Sequence, residues 1–210
     1  MDIAILLYDN MTALDAIGPY EVLAHVPGMN VRFVAKARGT VQMDSRILSL
    51  VATHALDDVK QTDMLLVPGG GGSRALLKDE QVLAWIREVD THSTYTVSVC
   101  TGSLILAASG LLRGRRATSH WAVRDALSRW DVIPTKGRIV RDGKYVTCAG
   151  VSAGIDLGLS LVAQQLGQDT AKLVQLAIEY DPEPLFDCGS PEKAPQALVD
   201  AVRSRTPPVG

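Results

Sequence analysis

Cysteine and aromatic residues are scarce in this chain of 210 residues. It has three cysteines (Cys100, Cys148 and Cys188), and only 5% of its residues are aromatic. The cysteines do not follow the paired spacing of a zinc site or of a disulfide framework. We therefore expect free thiols in a reducing cytoplasm and no bound metal.

Strong net charge and long apolar runs are absent as well. A formal net charge of −2 argues against a nucleic acid or an anionic membrane as a partner held by bulk charge. No apolar run approaches the roughly 18 to 20 residues that would span a bilayer. The apolar run at the start, Ile3–Tyr8, is too short for a signal peptide and is followed at once by Asp9. We expect a cytoplasmic protein with no membrane partner.

Strand-like and helix-like segments alternate along the chain, and 47% of the residues are hydrophobic. The predicted strands are Ile3–Leu7, Val31–Val34, Met64–Val67 and Thr96–Val99. The predicted helices include Ala84–Val89, Ser152–Gln165 with Ser152 as its cap, and Thr170–Ile178. Val140–Thr147 is typical of a hairpin with an Asp-Gly turn. This alternation predicts one α/β domain over residues 1–210 with a doubly wound sheet. From about Asp181 we expect an irregular, proline-rich tail.

Three predicted strands end in residues that can carry chemistry. Asp15 lies in the segment after the first strand, Gly69–Gly72 follow the third, and Cys100 follows the fourth. Ligands of open α/β sheets bind outside the carboxyl ends of the strands. We therefore expect a carboxylate, a cradle of backbone N–H groups and a thiol to meet at one edge of the sheet.

Cys100 stands between a β-branched run and a helix start made of small residues. Such a strand-to-helix turn exposes a nucleophile and directs the first free N–H groups of the helix toward any anion beside it. The helix N-terminus should lower the pKa of the thiol. The alternative reading is a buried structural cysteine at a strand end.

The residues around Cys100 allow two readings each. We expect the Thr101 hydroxyl and N–H, together with a Gly69 or Gly70 amide, to orient substrate or water and to stabilise developing charge. Alternatively, Thr101 makes only a local backbone bond, and the glycines form only a tight turn. A phosphate loop is not expected, because neither a Lys-Ser/Thr pair nor the G-x-G-x-x-G spacing follows.

Several motifs of this chain resemble those of the DJ-1/PfpI superfamily of flavodoxin-like cysteine proteins. They are Asp15-x-x-Gly18-Pro19, Pro68-Gly69-Gly70 and Val99-Cys100-Thr101-Gly102, with further matches within residues 111–121, 149–156 and 179–191. The chain is most similar to the isonitrile hydratase group, which has the same Asp and the same Cys-Thr-Gly turn. Protease-like members have His at the Thr101 position, and DJ-1 has Glu at the Asp15 position. About thirty residues follow Tyr180, so we expect no helix-turn-helix extension.

The resemblance implies an activity and a set of site residues. The expected reaction adds water to a small isocyanide and gives an N-substituted formamide through a thioimidate on Cys100. Asp15 would act as general acid and then as base, and its pKa should be raised because burial and a neighbouring thiolate oppose ionisation. Thr101, Gly69, Gly70 and Val151 would complete the pocket. No cofactor is expected, since the nucleophile and the acid suffice.

The resemblance also implies a homodimer, and the apolar Ile17, Tyr20 and Val22 are compatible with an interface beside Asp15, although Tyr20 could equally pack inside the monomer. Two other classes of function stay open: another DJ-1-like cysteine enzyme, of glyoxalase or amidohydrolase type, and a cysteine redox or stress sensor. His120 and Cys188 have no assigned role. Cys148 is expected to be a small buried residue.

Overall fold

A computed structural model of the protein describes residues 1–206 and 209, so the predicted domain end at Gly210 lies outside the described residues. The strands are β1 (Asp2–Leu6), β2 (Asn30–Ala35), β3 (Gly39–Gln42), β4 (Ser49–Ala52), β5 (His54–Ala55), β6 (Met64–Val67), β7 (Tyr95–Val99), β8 (Arg116–Ala117), β9 (Ile133–Pro134), β10 (Ile139–Asp142) and β11 (Tyr145–Cys148). The α-helices are α1 (Ala13–Ala24), α2 (Ser73–Leu76), α3 (Glu80–Asp90), α4 (Gly102–Ala108), α5 (Ala153–Leu166), α6 (Gln168–Ala177) and α7 (Gln196–Arg205). Short 3₁₀ helices span Leu56–Asp58 and Arg124–Trp130.

Seven of these strands form the central sheet in the order β10-β11-β7-β6-β1-β2-β5. All neighbours in it are parallel except β10 and β11. The inner strands are buried along their length, as expected when helices cover both faces of a parallel sheet. The predicted α/β doubly wound fold is confirmed. Two small sheets, β3-β4 and β8-β9, lie outside it.

Helices α1 and α5 pack closely because glycines of α5 face α1. A Cβ at Gly158 would lie 2.9 Å from the Cβ of Val22, and one at Gly154 would lie 2.9 Å from the ring of Pro19. The close approach holds the start of α1, which carries Asp15, against the start of α5. Val22 is fully buried in this contact, so it is not available to the interface with which its apolar side chain was considered compatible. Tyr20 packs on Phe33 of β2, with ring centroids 5.2 Å apart.

Three local predictions were correct in outline but not in detail. Ser152 occupies the cap position of α5, but its side chain makes no cap bond and instead accepts a hydrogen bond from Arg138 at 3.4 Å. In the hairpin of β10 and β11, Asp142 pairs with Tyr145, so the turn consists of Gly143 and Lys144. The tail is irregular only as far as Pro195, where α7 begins with Val199 buried.

Among the described residues, no helix combines the length and the apolar character needed to cross a membrane.

Candidate active site

Cys100 occupies a strained turn between β7 and α4. Its φ angle is +58°, a left-handed conformation that costs energy for a residue with a side chain. The Cys100 N–H donates to the carbonyls of Cys148 and Ala149, both at 3.2 Å. Its carbonyl accepts from the hydroxyls of Ser103 (3.2 Å) and Ser119 (3.1 Å). These bonds fix the backbone of the turn from which the thiol projects.

Asp15 is fully buried at the start of α1. Its Oδ2 accepts a hydrogen bond from the Gly69 N–H at 2.9 Å. Its Oδ1 is buried and has no hydrogen bond of its own within the described part of the chain. The Cys100 thiol lies close enough for each group to shift the other's pKa. The structure therefore brings together the carboxyl and the thiol that the sequence predicted at this edge of the sheet.

Burial raises the pKa of Asp15 to about 7, as the sequence predicted. The Gly69 N–H and the Cys100 thiol act in the opposite direction, and the charge of Asp44 raises the pKa further. Asp44 follows β3, and its Oδ2 accepts a hydrogen bond from Thr12 at 2.6 Å. Asp44 was not identified as a site residue from the sequence. The residues next to it in the sequence do not indicate that the β3-β4 hairpin lies near Asp15.

Burial also raises the pKa of the Cys100 thiol well above its usual value, and the charge of Asp15 adds to this. The backbone N–H groups of Thr101 and Val151 lower the pKa, but they do not outweigh the burial. The expectation that the helix N-terminus would lower this pKa was therefore wrong. Cys100 is only 5% exposed, so loss of hydration outweighs the N-terminus of a seven-residue helix. Above about pH 7, the thiol and Asp15 share one proton between them.

Gly69 and Gly70 hold the side chains of the site. The Gly69 N–H binds Asp15, and the Gly70 N–H donates to Thr101 Oγ1 at 2.9 Å. The Thr101 hydroxyl in turn donates to the Gly70 carbonyl at 3.3 Å. A Cβ at Gly69 would lie 2.9 Å from Asp15 Oδ2 and would overlap Thr101, which explains why glycine is needed there. With these N–H groups engaged, those of Thr101 and Val151 are the donors directed at the thiol.

A cleft of about 440 Å³ lies next to the turn that carries Cys100, although Cys100 and Asp15 do not line it. Its wall includes Val151, whose N–H faces Cys100, and Ser119, whose hydroxyl binds the Cys100 carbonyl. Val151 also has a positive φ angle, +31°, so Cys100 and one of the two residues whose N–H groups face its thiol have strained backbones. Part of the tail, Gly189–Glu192, closes one side of the cleft.

The remaining residues considered in the sequence have separate positions. His120 lines the cleft and packs on Gly150, where a Cβ would overlap the imidazole ring. Burial lowers the pKa of His120, which favours the neutral ring. Cys148 is buried behind the site, whereas Cys188 is exposed in the tail. Tyr8 donates to the Pro68 carbonyl at 2.8 Å and so ties the end of β1 to the glycine loop.

The described residues contain no group of three or more His, Cys, Asp or Glu side chains that could hold a metal ion. The donors at the site are one carboxyl, one thiol, one hydroxyl and backbone N–H groups. This set suits nucleophilic and acid–base chemistry.

The buried charge of Asp15 should cost stability at neutral pH. The pKa of its carboxyl is about 7 in the folded chain, against an ordinary value of 3.8, so the folded state keeps a proton that the unfolded state has lost. Stability therefore falls as pH rises from about 4 to 7, and Asp15→Asn removes this loss. We expect the variant's gain in free energy of unfolding to grow by about 2–3 kcal/mol between pH 5 and pH 8. Urea unfolding of both proteins under reducing conditions at pH 5 and pH 8 measures this difference in free energy of unfolding. An equal gain at both pH values would contradict a raised pKa of Asp15 in the folded chain.

The fold and the strained cysteine turn define a class of protein. The chain belongs to the DJ-1/PfpI family, whose sequence profile matches residues 1–164. It is similar to the isonitrile hydratase of Pseudomonas putida, with 47% identity over 208 residues that cover 99% of this chain and 91% of that protein.

Two further relatives place these similarities in context. A ThiJ/PfpI family protein from Pseudomonas syringae superposes with a TM-score of 0.94 at 41% identity, covering 97% of this chain and 85% of that structure. The HTH-type transcriptional regulator CdhR of Pseudomonas aeruginosa is 33% identical over 81% of this chain but only 49% of its own length. The chain thus spans about half of that regulator.

Proposed function

We propose that the protein is an isonitrile hydratase, a cysteine-dependent hydro-lyase that converts an isocyanide and water into an N-substituted formamide. The observation that carries the proposal is the fully buried Asp15 carboxyl, which is held by the Gly69 N–H and interacts with the Cys100 thiol. The 47% identity to the P. putida isonitrile hydratase over nearly the full length supports the same reaction.

The first half of the reaction joins the thiol to the substrate. Sγ of Cys100 attacks the terminal carbon of R–N≡C, and the proton shared with Asp15 moves to that carbon. The product is a thioimidate, R–N=CH–S–Cys100, and Asp15 is left ionised. A group whose pKa lies near 7 suits this role, because it can both accept and return a proton at neutral pH.

The second half adds water and releases the thiol. The oxygen of a water molecule bonds to the thioimidate carbon while Asp15 takes one proton from that water. Asp15 then passes this proton to the substrate nitrogen. Asp15 then takes the proton of the new hydroxyl while the C–S bond breaks. The formamide R–NH–CHO leaves, and Cys100 and Asp15 again share one proton. Every atom of the isocyanide and of the water is found in the product.

Backbone N–H groups assist the thiol in this scheme. Those of Thr101 and Val151 stabilise negative charge on Sγ when the C–S bond forms and breaks. Gly69 and Gly70 act one step away, by orienting Asp15 and the Thr101 hydroxyl. This assignment refines the sequence-based expectation that a Gly69 or Gly70 amide itself faces the substrate.

Thr101→Val tests the positioning role of the hydroxyl. The variant keeps the shape of the side chain but leaves the Gly70 N–H without its acceptor, so the loop that holds Asp15 should loosen. We expect kcat to fall about tenfold or more, with a smaller effect on KM, by analogy with the loss of one hydrogen bond in a buried network. Thr101→Ser should restore most of kcat. Equal kcat values for the valine and serine variants would contradict the role.

The direct test of the function is the conversion of p-nitrophenyl isocyanide, followed in the ultraviolet with identification of the formamide by mass. Rapid formation of the formamide is the expected result. Conversion of methylglyoxal or of amides without any action on isocyanides would point instead to another DJ-1-like enzyme. A redox sensor is less well supported, because sensor cysteines are exposed thiols of low pKa, and Cys100 is neither.

The assembly and location follow as part of the same proposal. We propose a cytoplasmic homodimer, as the family resemblance implies. The hairpin of β3 and β4 supports a second copy as partner, because Ile47 and Val51 expose 95% and 60% of their surface. Ile17 and Tyr20 are partly exposed beside Asp15 and remain compatible with an interface.

A further inference from the structure

The cleft beside Cys100 carries more positive charge than an uncharged isocyanide requires. Three cationic side chains, Arg124, Lys136 and Arg138, line it together with one carboxylate, Glu192. Lys136 is paired with Glu192 at 2.5 Å, and Arg138 is paired with Asp156. Lys136 and Arg138 therefore each form an ion pair with a carboxylate of this chain. The third cation is Arg124.

The side chain of Arg124 is partly buried, and its charge is poorly paired. Its side chain is 23% exposed, and its ion pair within the described residues joins Nε to Oδ1 of Asp125 at 3.6 Å. Asp125 is 91% exposed, so this contact lies in water and contributes little. No hydrogen bond from Arg124 to the described part of the chain accompanies it. A planar guanidinium held in a cleft without a buried counter-ion is well suited to a carboxylate, which it can bind through two parallel hydrogen bonds.

The same cleft borders the reactive centre, although neither Cys100 nor Asp15 lines it. Val151 and Ser119 belong to its wall, and both contact Cys100. The volume of about 440 Å³ lies in the range of small-molecule sites. A ligand whose anionic group binds Arg124 can therefore extend along the cleft toward Val151, whose backbone N–H faces the thiol.

We propose that the substrate of this protein is an isocyanide that carries a carboxylate, and that Arg124 binds the carboxylate. The inference rests on the isocyanide activity proposed above and specifies its substrate class. Glu192 limits the positive charge of the cleft by pairing with Lys136, so Arg124 provides most of the selectivity.

Two substrates of nearly equal shape test the proposal: 4-isocyanobenzoate and p-nitrophenyl isocyanide, whose nitro group is a neutral, planar counterpart of the carboxylate. We measure kcat/KM for both with the wild type, with Arg124→Gln and with Arg113→Gln. Arg113 is a matched control, because its side chain is 75% exposed in a surface pair with Asp131 and does not line the cleft. Taking the ratio of the two substrates within each variant removes any general loss of folding or activity.

The expected result is that Arg124→Gln lowers kcat/KM for 4-isocyanobenzoate about tenfold or more, through KM, as for a lost hydrogen bond to a charged group. The value for p-nitrophenyl isocyanide should stay within about twofold, Arg113→Gln should change neither, and salt should weaken the preference of the wild type. An Arg124→Gln ratio equal to the wild-type ratio would overturn the inference while the neutral substrate still supports the hydratase. No turnover of either substrate by the wild type would overturn the proposed function itself.

Discussion

Cys100→Ala should reduce isocyanide turnover at least about a thousandfold, because the variant has no atom that can form the thioimidate. Cys100→Ser should be similarly inactive, since a hydroxyl is a much weaker nucleophile than a thiol and the site offers only a carboxyl of pKa about 7 to activate it. The measurement is the rate of formamide production from p-nitrophenyl isocyanide under reducing conditions.

The control for Cys100 is Cys188→Ala, which removes an exposed thiol far along the tail and should leave turnover unchanged. Intact-mass analysis of the wild type, quenched during turnover, should show an adduct that weighs as much as the whole isocyanide, because no atom leaves in the first step. The adduct should be absent from Cys100→Ala. Turnover by Cys100→Ala at more than a few per cent of the wild-type rate would contradict nucleophilic catalysis by this residue.

The position of the site could be predicted because its main groups follow directly from strand ends. Asp15, Gly69 and Cys100 come shortly after β1, β6 and β7, which are neighbours in the sheet. The parallel arrangement alone brings these strand ends to one edge. The apolar runs that form the inner strands are buried on both faces, which makes them easy to recognise in the sequence.

The electrostatics of the site could not be predicted in the same way. The sequence shows that Cys100 precedes a helix, but not that the thiol is 5% exposed beside a fully buried carboxyl. The sign of the pKa shift depends on that burial, and the sequence-based sign was wrong for this reason. Asp44 and Arg124 reach the site or its cleft from an outlying hairpin and from a 3₁₀ helix, and neither segment has a pattern that places it there.

Asp15→Asn should lower kcat/KM for isocyanides by about a hundredfold to ten-thousandfold, the usual range for loss of a general acid–base group. The amide still offers an oxygen to the Gly69 N–H, so the loop should keep its position, and the variant should be more stable than the wild type above pH 7. A large loss of activity with a gain in stability separates a chemical role from a structural one. Activity close to that of the wild type would contradict the assignment.

The pH dependence gives Asp15 a second, independent signature. The reactive state has one proton between Asp15 and Cys100, and it forms when the pair loses its first proton. Because the pKa of Asp15 is about 7 and that of the thiol is raised well above its usual value, kcat/KM of the wild type should rise as pH increases through about 7 and then stay level.

Asp44→Asn removes a charge that raises the pKa of Asp15, so it should move this rise to lower pH while turnover at the plateau persists. In Asp15→Asn the inflection near pH 7 should vanish, because the group that titrates there is gone; an unchanged inflection would mean that another residue controls the reaction.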